Sequence, residues 1–335
     1  MKKVLSVLIC LLLLGSVVSL AMGDEAGKTV DNVTVALCIA DTLGDQGFYD
    51  SANAGLDRLV QDYGVVGSVV ECKSDASAFK PALVEAAQAN DIVVAVGWQF
   101  WDGLTEVVPA MPDTKFIFVD NGLDGVGDNL MSITYKENQG SFLVGYIAMK
   151  FSKTGKVGVV GGNDDDTINN FIVGYKQGAL YANPQGTVLD PIYTNGNYDA
   201  PDLGKEAALS LYSQGADVVF PVAGKTGLGV FEAAAETGNF ALGVDSDQKY
   251  INPDVILCSM LKEVGQSIYD AISSYITDGV FQGGEIWDAD MSTGLVSIGY
   301  GDDTMTQQLS DELKAEVDAL KEKIISGEIV VDSTR

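Results

Sequence analysis

Eight apolar runs of strand length recur along the chain, and their lack of polar alternation constrains the fold more than any other feature. They cover residues 33–41 (VTVALCIAD), 67–75, 91–98, 115–122, 156–162, 216–224, 240–247 and 254–260. A strand with one face in water alternates apolar and polar side chains. A continuous run suits a strand covered on both faces, as in a parallel sheet between helices. Helix-like stretches fill the intervals, at 51–63, 79–90, 103–108, 140–150, 169–181, 201–214, 226–237 and 264–278. This alternation predicts an α/β fold of parallel strands joined by right-handed crossovers. The strands are too many for one comfortable sheet, so the chain is read as two doubly wound, Rossmann-like lobes. Residues 31–135 plus 258–290 are assigned to lobe 1, and 136–257 plus 291–335 to lobe 2. Near the C-terminus Leu313, Val317, Leu320 and Ile324 have helical spacing, and a short strand is expected after them.

Open parallel sheets bind ligands beyond the carboxyl ends of their strands, where loops and helix N-termini supply backbone donors. Here those ends carry Asp41 to Phe48, Trp98, Asp120 with Asn121, Gly161 to Asp165, Ala223 to Gly227, and Asp245 to Gln248. Two such rims facing each other make a cleft. Plainer readings stand beside each. AGKTGLG (223–229) lacks the G-x-x-x-x-G-K-[ST] of a phosphate loop and reads as a tight turn into a helix. GVVGGN (158–163) lacks the third glycine of a dinucleotide fingerprint. An aspartate after a strand serves equally as a helix N-cap, and Phe48, Trp98 and Phe220 read equally as core.

The chain contains no histidine. That excludes Ser-His-Asp hydrolysis, histidine-ligated zinc and histidine acid–base chemistry. No pair of carboxylates is spaced in a way that argues for catalysis, so no catalytic residue, metal or cofactor is assigned. The N-terminus, MKKVLSVLICLLLLGSVVSLAMGDE, places two lysines before an uncharged apolar run. Residues 1–23 read as a secretory signal peptide with Ala21-Met22-Gly23 as cleavage site, or as an anchor if uncleaved. Either way the body is expected outside the cytoplasm. Without Lys2 and Lys3 the chain has 18 basic and 47 acidic residues, a net charge of -29. Such a field repels nucleic acid and anionic lipid. Beyond the signal, Cys38, Cys72 and Cys258 sit in apolar runs and read as buried thiols, with a Cys38–Cys72 disulfide left open.

Several segments carry a resemblance: GDQGFYDSANAGL (44–56), KFIFVDN (115–121), ENQGSFLVGYIAMK (137–150), KVGVVGG (156–162), GADVVFPVAGKTGLGVFEAA (215–234), ALGVDSDQ (241–248) and CSMLK (258–262). In order and over nearly the whole mature chain, the sequence resembles the basic membrane protein family of substrate-binding proteins, whose best-understood relatives are purine nucleoside receptors of ABC importers. The resemblance implies the type I periplasmic-binding-protein fold, with two lobes joined by a three-segment hinge and closing on a ligand. It also implies a monomer that hands a purine nucleoside to an ABC permease and binds no nucleic acid. Carried over residue by residue, Phe48 and Phe220 would sandwich the base, with Trp98 joining that wall. Asp120 would bond the base edge; Gly243, Asp245 and Lys262 would hold the sugar hydroxyls; Gly227 would offer a backbone amide. Asp45 and Tyr49 complete the expected set. Two departures stand out. Gly47, Phe48 and Tyr49 replace the family's S-F-N, removing an asparagine from the base edge, and Lys225 follows Gly224 where the family has a glycine pair. The alternatives are a ligand-binding sensor of the same fold and a nucleoside-cleaving enzyme using Asp45 and Asp245 as acid and base.

Overall fold

Seven of the eight apolar runs form strands covered on both faces; the run at 67–75 instead gives the edge strand Val66–Glu71, which is largely exposed. In the computed structural model, which describes residues 32–334, Ile92–Val96 is buried along its whole length, and so is Val218–Val222. The signal or anchor expected at 1–23 lies outside the described residues. The first sheet is built from β1 (Thr34–Ile39), β2 (Val66–Glu71), β3 (Ile92–Val96), β4 (Lys115–Val119) and β5 (Leu130–Tyr135). The second is built from β6 (Lys156–Gly161), β7 (Thr187–Val188), β8 (Ile192–Tyr193), β9 (Val218–Val222), β10 (Phe240–Asp245) and β11 (Ile256–Lys262). Two short strands then return to the two sheets in turn, β12 (Ile286–Ala289) to the first and β13 (Val296–Gly299) to the second. The orders are β2-β1-β3-β4-β5-β12 and β7-β6-β9-β10-β11-β13, with β8 beside β6. All named pairings are parallel except β13 on β11.

Helices α1 (Phe48–Tyr63), α2 (Phe79–Ala89) and α3 (Trp101–Ala110) cross over the first sheet. Their counterparts on the second are α4 (Glu137–Phe151), α5 (Asp166–Ala182), α6 (Pro201–Ser213) and α7 (Leu228–Thr237). Helix α8 (Val264–Asp278) packs on α1, and α9 (Asp311–Ile325) on α4. The chain therefore passes between the sheets three times, at Tyr135–Glu137, Lys262–Val264 and Ala289–Val296.

The structure moves one expected boundary. Cys258–Lys262, assigned to the first lobe from the sequence, completes β11 in the second sheet, where Ser259, Met260 and Leu261 pair with Gly243, Val244 and Asp245. The return to the first lobe begins after Lys262, so this lysine belongs to the second sheet. Among the described residues no strand follows α9, where a short one is expected. Asn138 Nδ2 donates to the carbonyls of Val331 and Asp332, while Gln177 donates to Val330 O and accepts from Asp332 N. Side chains thus satisfy backbone groups that a neighbouring strand would otherwise pair.

Close helix contact fixes the second lobe against the first crossing. Cβ atoms added at Gly174 and Gly178 of α5 would meet the carbonyl oxygens of Asn138 and Phe142 on α4 at 2.1 and 1.9 Å. One added at Gly145 of α4 would meet Tyr175 O at 2.1 Å. The two backbones approach because these three positions carry no side chain, and α4 is buried along most of its length.

Candidate ligand-binding site

Both strand orders reverse direction at equivalent places, between β1 and β3 in the first sheet and between β6 and β9 in the second. Adjacent crossovers there leave to opposite faces and open a crevice at the carboxyl ends of the strands. A cleft of about 710 Å³, its mouth included, lies where the two crevices meet. The first lobe contributes Asp41, Asp45, Phe48 and Tyr49 after β1, Trp98 and Gln99 after β3, and Asp120 after β4. The second contributes Asp165 and Phe171 after β6, Lys225 after β9, Asp245 at the end of β10 and Lys262 at the end of β11.

Lys262 is the centre of the arrangement. Its Nζ donates to Asp120 Oδ1 at 2.9 Å and stands 3.5 Å from Asp245 Oδ1, joining a carboxylate of the first sheet to one of the second. The contact to Asp245 is the longer of the two ion pairs, and it is the only partner that the buried Oδ1 has among the described residues. Rings surround the ammonium: the centroids of Phe48, Phe171 and Tyr135 lie 4.5, 5.0 and 5.6 Å from Nζ. Burial alone would lower the pKa of Lys262, but Asp120, Asp245 and Glu137 outweigh it and hold the ammonium charged. Burial pushes the Asp245 carboxyl up, with Asp120 adding to the shift and Lys262 opposing it. Asp120 and Asp245 occupy corresponding strand ends with φ of 80° and 64°. A non-glycine residue held there costs on the order of 1–3 kcal/mol, a strain characteristic of ligand clamps.

Asp45 has a different task. Its carboxylate accepts from the amides of Gly47, Tyr49 and Asp50 at 3.1, 2.9 and 3.1 Å and closes the first turn of α1. Burial raises its pKa to about 6 despite these bonds. Lys225, the departure noted after Gly224, pairs with Asp199 at 2.7 Å. The lining holds six aspartates and two lysines among the described residues. This excess of carboxylates disfavours an anion.

Of the residues expected from the sequence, Asp45, Phe48, Tyr49, Trp98, Asp120, Asp245 and Lys262 line the cleft together. Phe220, Gly227 and Gly243 do not. Phe220 is fully buried in mid-β9, stacked on Tyr175 at 5.4 Å. A Cβ at Gly243 would stand 2.3 Å from Ser259 Oγ, and one at Gly227 3.0 Å from Pro221, so both glycines serve packing. The aromatics of the second lobe that line the cleft are Phe171 and Tyr198, and it is Phe171 that stands over Lys262. It shares a helical face with Ile168, Ile172 and Tyr175, and that periodicity reads as core. Asp120, expected apart from the sugar-binding pair, is instead bonded to Lys262. Gln99 was missed because a lone polar residue after a tryptophan carries no motif.

Comparison with known proteins decides the family. Residues 32–335 match the profile described as ABC transporter substrate-binding protein PnrA-like. The chain belongs to this family. Basic membrane protein A of Borreliella burgdorferi is 30% identical over 333 residues, covering 98% of this chain and 96% of that one. Basic membrane protein C of the same organism is 31% identical over 323 residues, covering 90% and 88%. Among solved structures, an ABC transporter solute-binding protein from Aeropyrum pernix superposes with a TM-score of 0.79 at 28% identity, over 90% of this chain and 94% of that one. A solute-binding protein from Conexibacter woesei, at 23% identity and a TM-score of 0.72, shares the fold. The fold is the type I periplasmic-binding-protein architecture, and this PnrA-like protein is a substrate-binding protein, not an enzyme. Membership implies a small-molecule ligand and a permease partner. Among the described residues no helix is long and apolar enough to cross a membrane.

Proposed function

We propose that this protein captures a nucleoside, of the purine class, between its two lobes outside the cytoplasm and presents the closed form to an ABC permease. The Asp120–Lys262–Asp245 cluster beneath Phe48 and Phe171 carries this reading. A nucleoside has a flat, polarisable base and a vicinal diol. Stacking a base on an aromatic ring contributes roughly 1–3 kcal/mol, and Phe48 and Phe171 approach from opposite lobes. Asp245, held by Lys262 only at 3.5 Å, accepts a hydrogen bond from a sugar hydroxyl, while Lys262 donates to the diol oxygens. Because a nucleoside is uncharged, the acidic lining does not repel it; a nucleotide adds negative charge to a cleft already rich in carboxylates. The ligand favours closure since only the closed form contacts it from both sides.

The test is calorimetric titration of the Asp245→Ala protein with inosine, guanosine and adenosine. Removing a charged acceptor from a buried diol contact costs about 1.5–3 kcal/mol, roughly 10- to 150-fold in affinity. Nucleoside affinity unchanged by the substitution contradicts the assigned role.

A further inference from the structure

Away from Lys262, uncharged polar groups of the cleft converge over Gly97. This residue ends β3 with φ of 112° and carries no Cβ. A Cβ built there would lie 2.6 Å from Gln99 Oε1 and 3.5 Å from the Tyr49 hydroxyl. The 3-10 turn Trp98–Phe100 folds the Gln99 side chain back over Gly97, and α1 brings Tyr49 to the same point from the neighbouring switch-point loop. Both residues line the cleft. Gln99 Oε1 is buried and has no hydrogen-bond partner. A buried acceptor without a partner forfeits its lost hydration, on the order of 1–3 kcal/mol, so a ligand donor placed against it recovers that free energy. Burial and the nearby Asp45 and Asp41 carboxylates hold the Tyr49 phenol protonated, and its hydroxyl is therefore a donor.

We infer that Gln99 and Tyr49 together read the polar edge of the base, Gln99 Oε1 accepting from a ring or exocyclic N–H while the Tyr49 hydroxyl donates to the adjacent acceptor. The pair selects bases with a donor beside an acceptor on one edge. The inference rests on the nucleoside reading above and adds the determinant of base choice to it.

Inosine and purine riboside separate the two levels, since they share ring and sugar but purine riboside lacks the N–H beside a carbonyl. Calorimetry on the wild type is expected to show inosine bound at least about tenfold more tightly, the factor equivalent to one buried hydrogen bond. In Gln99→Leu that preference should fall to within about twofold while the purine riboside affinity stays within about twofold of wild type. Gln99→Glu keeps an oxygen at the acceptor position and should retain most of the preference. It also guards against a leucine variant that misfolds, with the unliganded thermal midpoint of each variant as the control. Equal weakening of both nucleosides in Gln99→Leu, or an undiminished preference, overturns the role of Gln99 and leaves the nucleoside reading intact. Binding of neither nucleoside by the wild type overturns both.

Discussion

At Asp45 two opposed effects act on one carboxylate. Burial disfavours the ionised form while three backbone amides favour it, and burial prevails, raising the pKa from 3.8 to about 6. The sign of the consequence follows. The folded chain binds the proton more tightly than the unfolded chain, so the ionised carboxylate penalises the fold above about pH 6. Protonation relieves that penalty as the pH falls toward 4. The size is about 3 kcal/mol at about 1.4 kcal/mol for each pKa unit. Denaturant unfolding of wild type and Asp45→Asn between pH 7 and 4 should show wild type gaining stability relative to the variant as acid is added. A difference that stays flat, or falls, contradicts the account. The same residue scale shows where sequence reading of the site stopped. Asp45, Phe48, Trp98, Asp120 and Asp245 were visible as polar and aromatic groups at strand ends. Phe220 was not separable from them by residue type. In the fold it lies in the middle of β9, and only residues at or beyond a strand's carboxyl end reach the cleft.

At the scale of elements, eight strands announced themselves as apolar runs, and all but the exposed edge strand β2 are covered on both faces. The others carry weaker signals. β5 mixes Ser132 and Thr134 among apolar residues, β7 and β8 have two residues each, and β12 and β13 are short segments at the sheet edges. Their strand character comes from the partner they pair with, which no local pattern encodes. The contact between α4 and α5 was equally hidden, since it depends on glycines from both helices meeting in register. Gly178→Ala would place a methyl 1.9 Å from Phe142 O, forcing the helices apart. Overpacking of this kind costs about 1–3 kcal/mol. Thermal unfolding should show a clear fall in midpoint for this variant, and an unchanged midpoint would contradict the close approach. α4 begins at the first crossing, so a shift of α5 is transmitted to the cleft through Glu137, whose Oε2 accepts from Asn170 at 2.6 Å.

For the whole molecule, function depends on the two lobes meeting. Besides Lys262, three hydrogen bonds join them at the cleft rim: Gln248 Nε2 to Gln46 O at 3.1 Å, Tyr250 OH to Gln46 Oε1 at 3.2 Å and Ser246 Oγ to Gly47 O at 3.3 Å. All three fall on the turn at the start of α1, so this stretch of the rim ties the two lobes together. Replacing Ser246 by Ala and Tyr250 by Phe removes two of them without touching the cleft lining. Each contributes about 0.5–1.5 kcal/mol, and the double variant should bind ligand about 5- to 150-fold more weakly. Small-angle scattering should also show a larger radius of gyration for the unliganded variant. Unchanged affinity and radius together would contradict that tie. The central claim concerns the ligand itself, and thermal unfolding of the protein lacking residues 1–23 against nucleosides, nucleotides, free bases, sugars and amino acids tests it most directly. A ligand at about a hundred times its dissociation constant adds roughly 2.7 kcal/mol. The account predicts that purine nucleosides raise the midpoint while nucleotides, sugars and amino acids leave it in place. A midpoint raised by a sugar or an amino acid, with nucleosides inert, would contradict it.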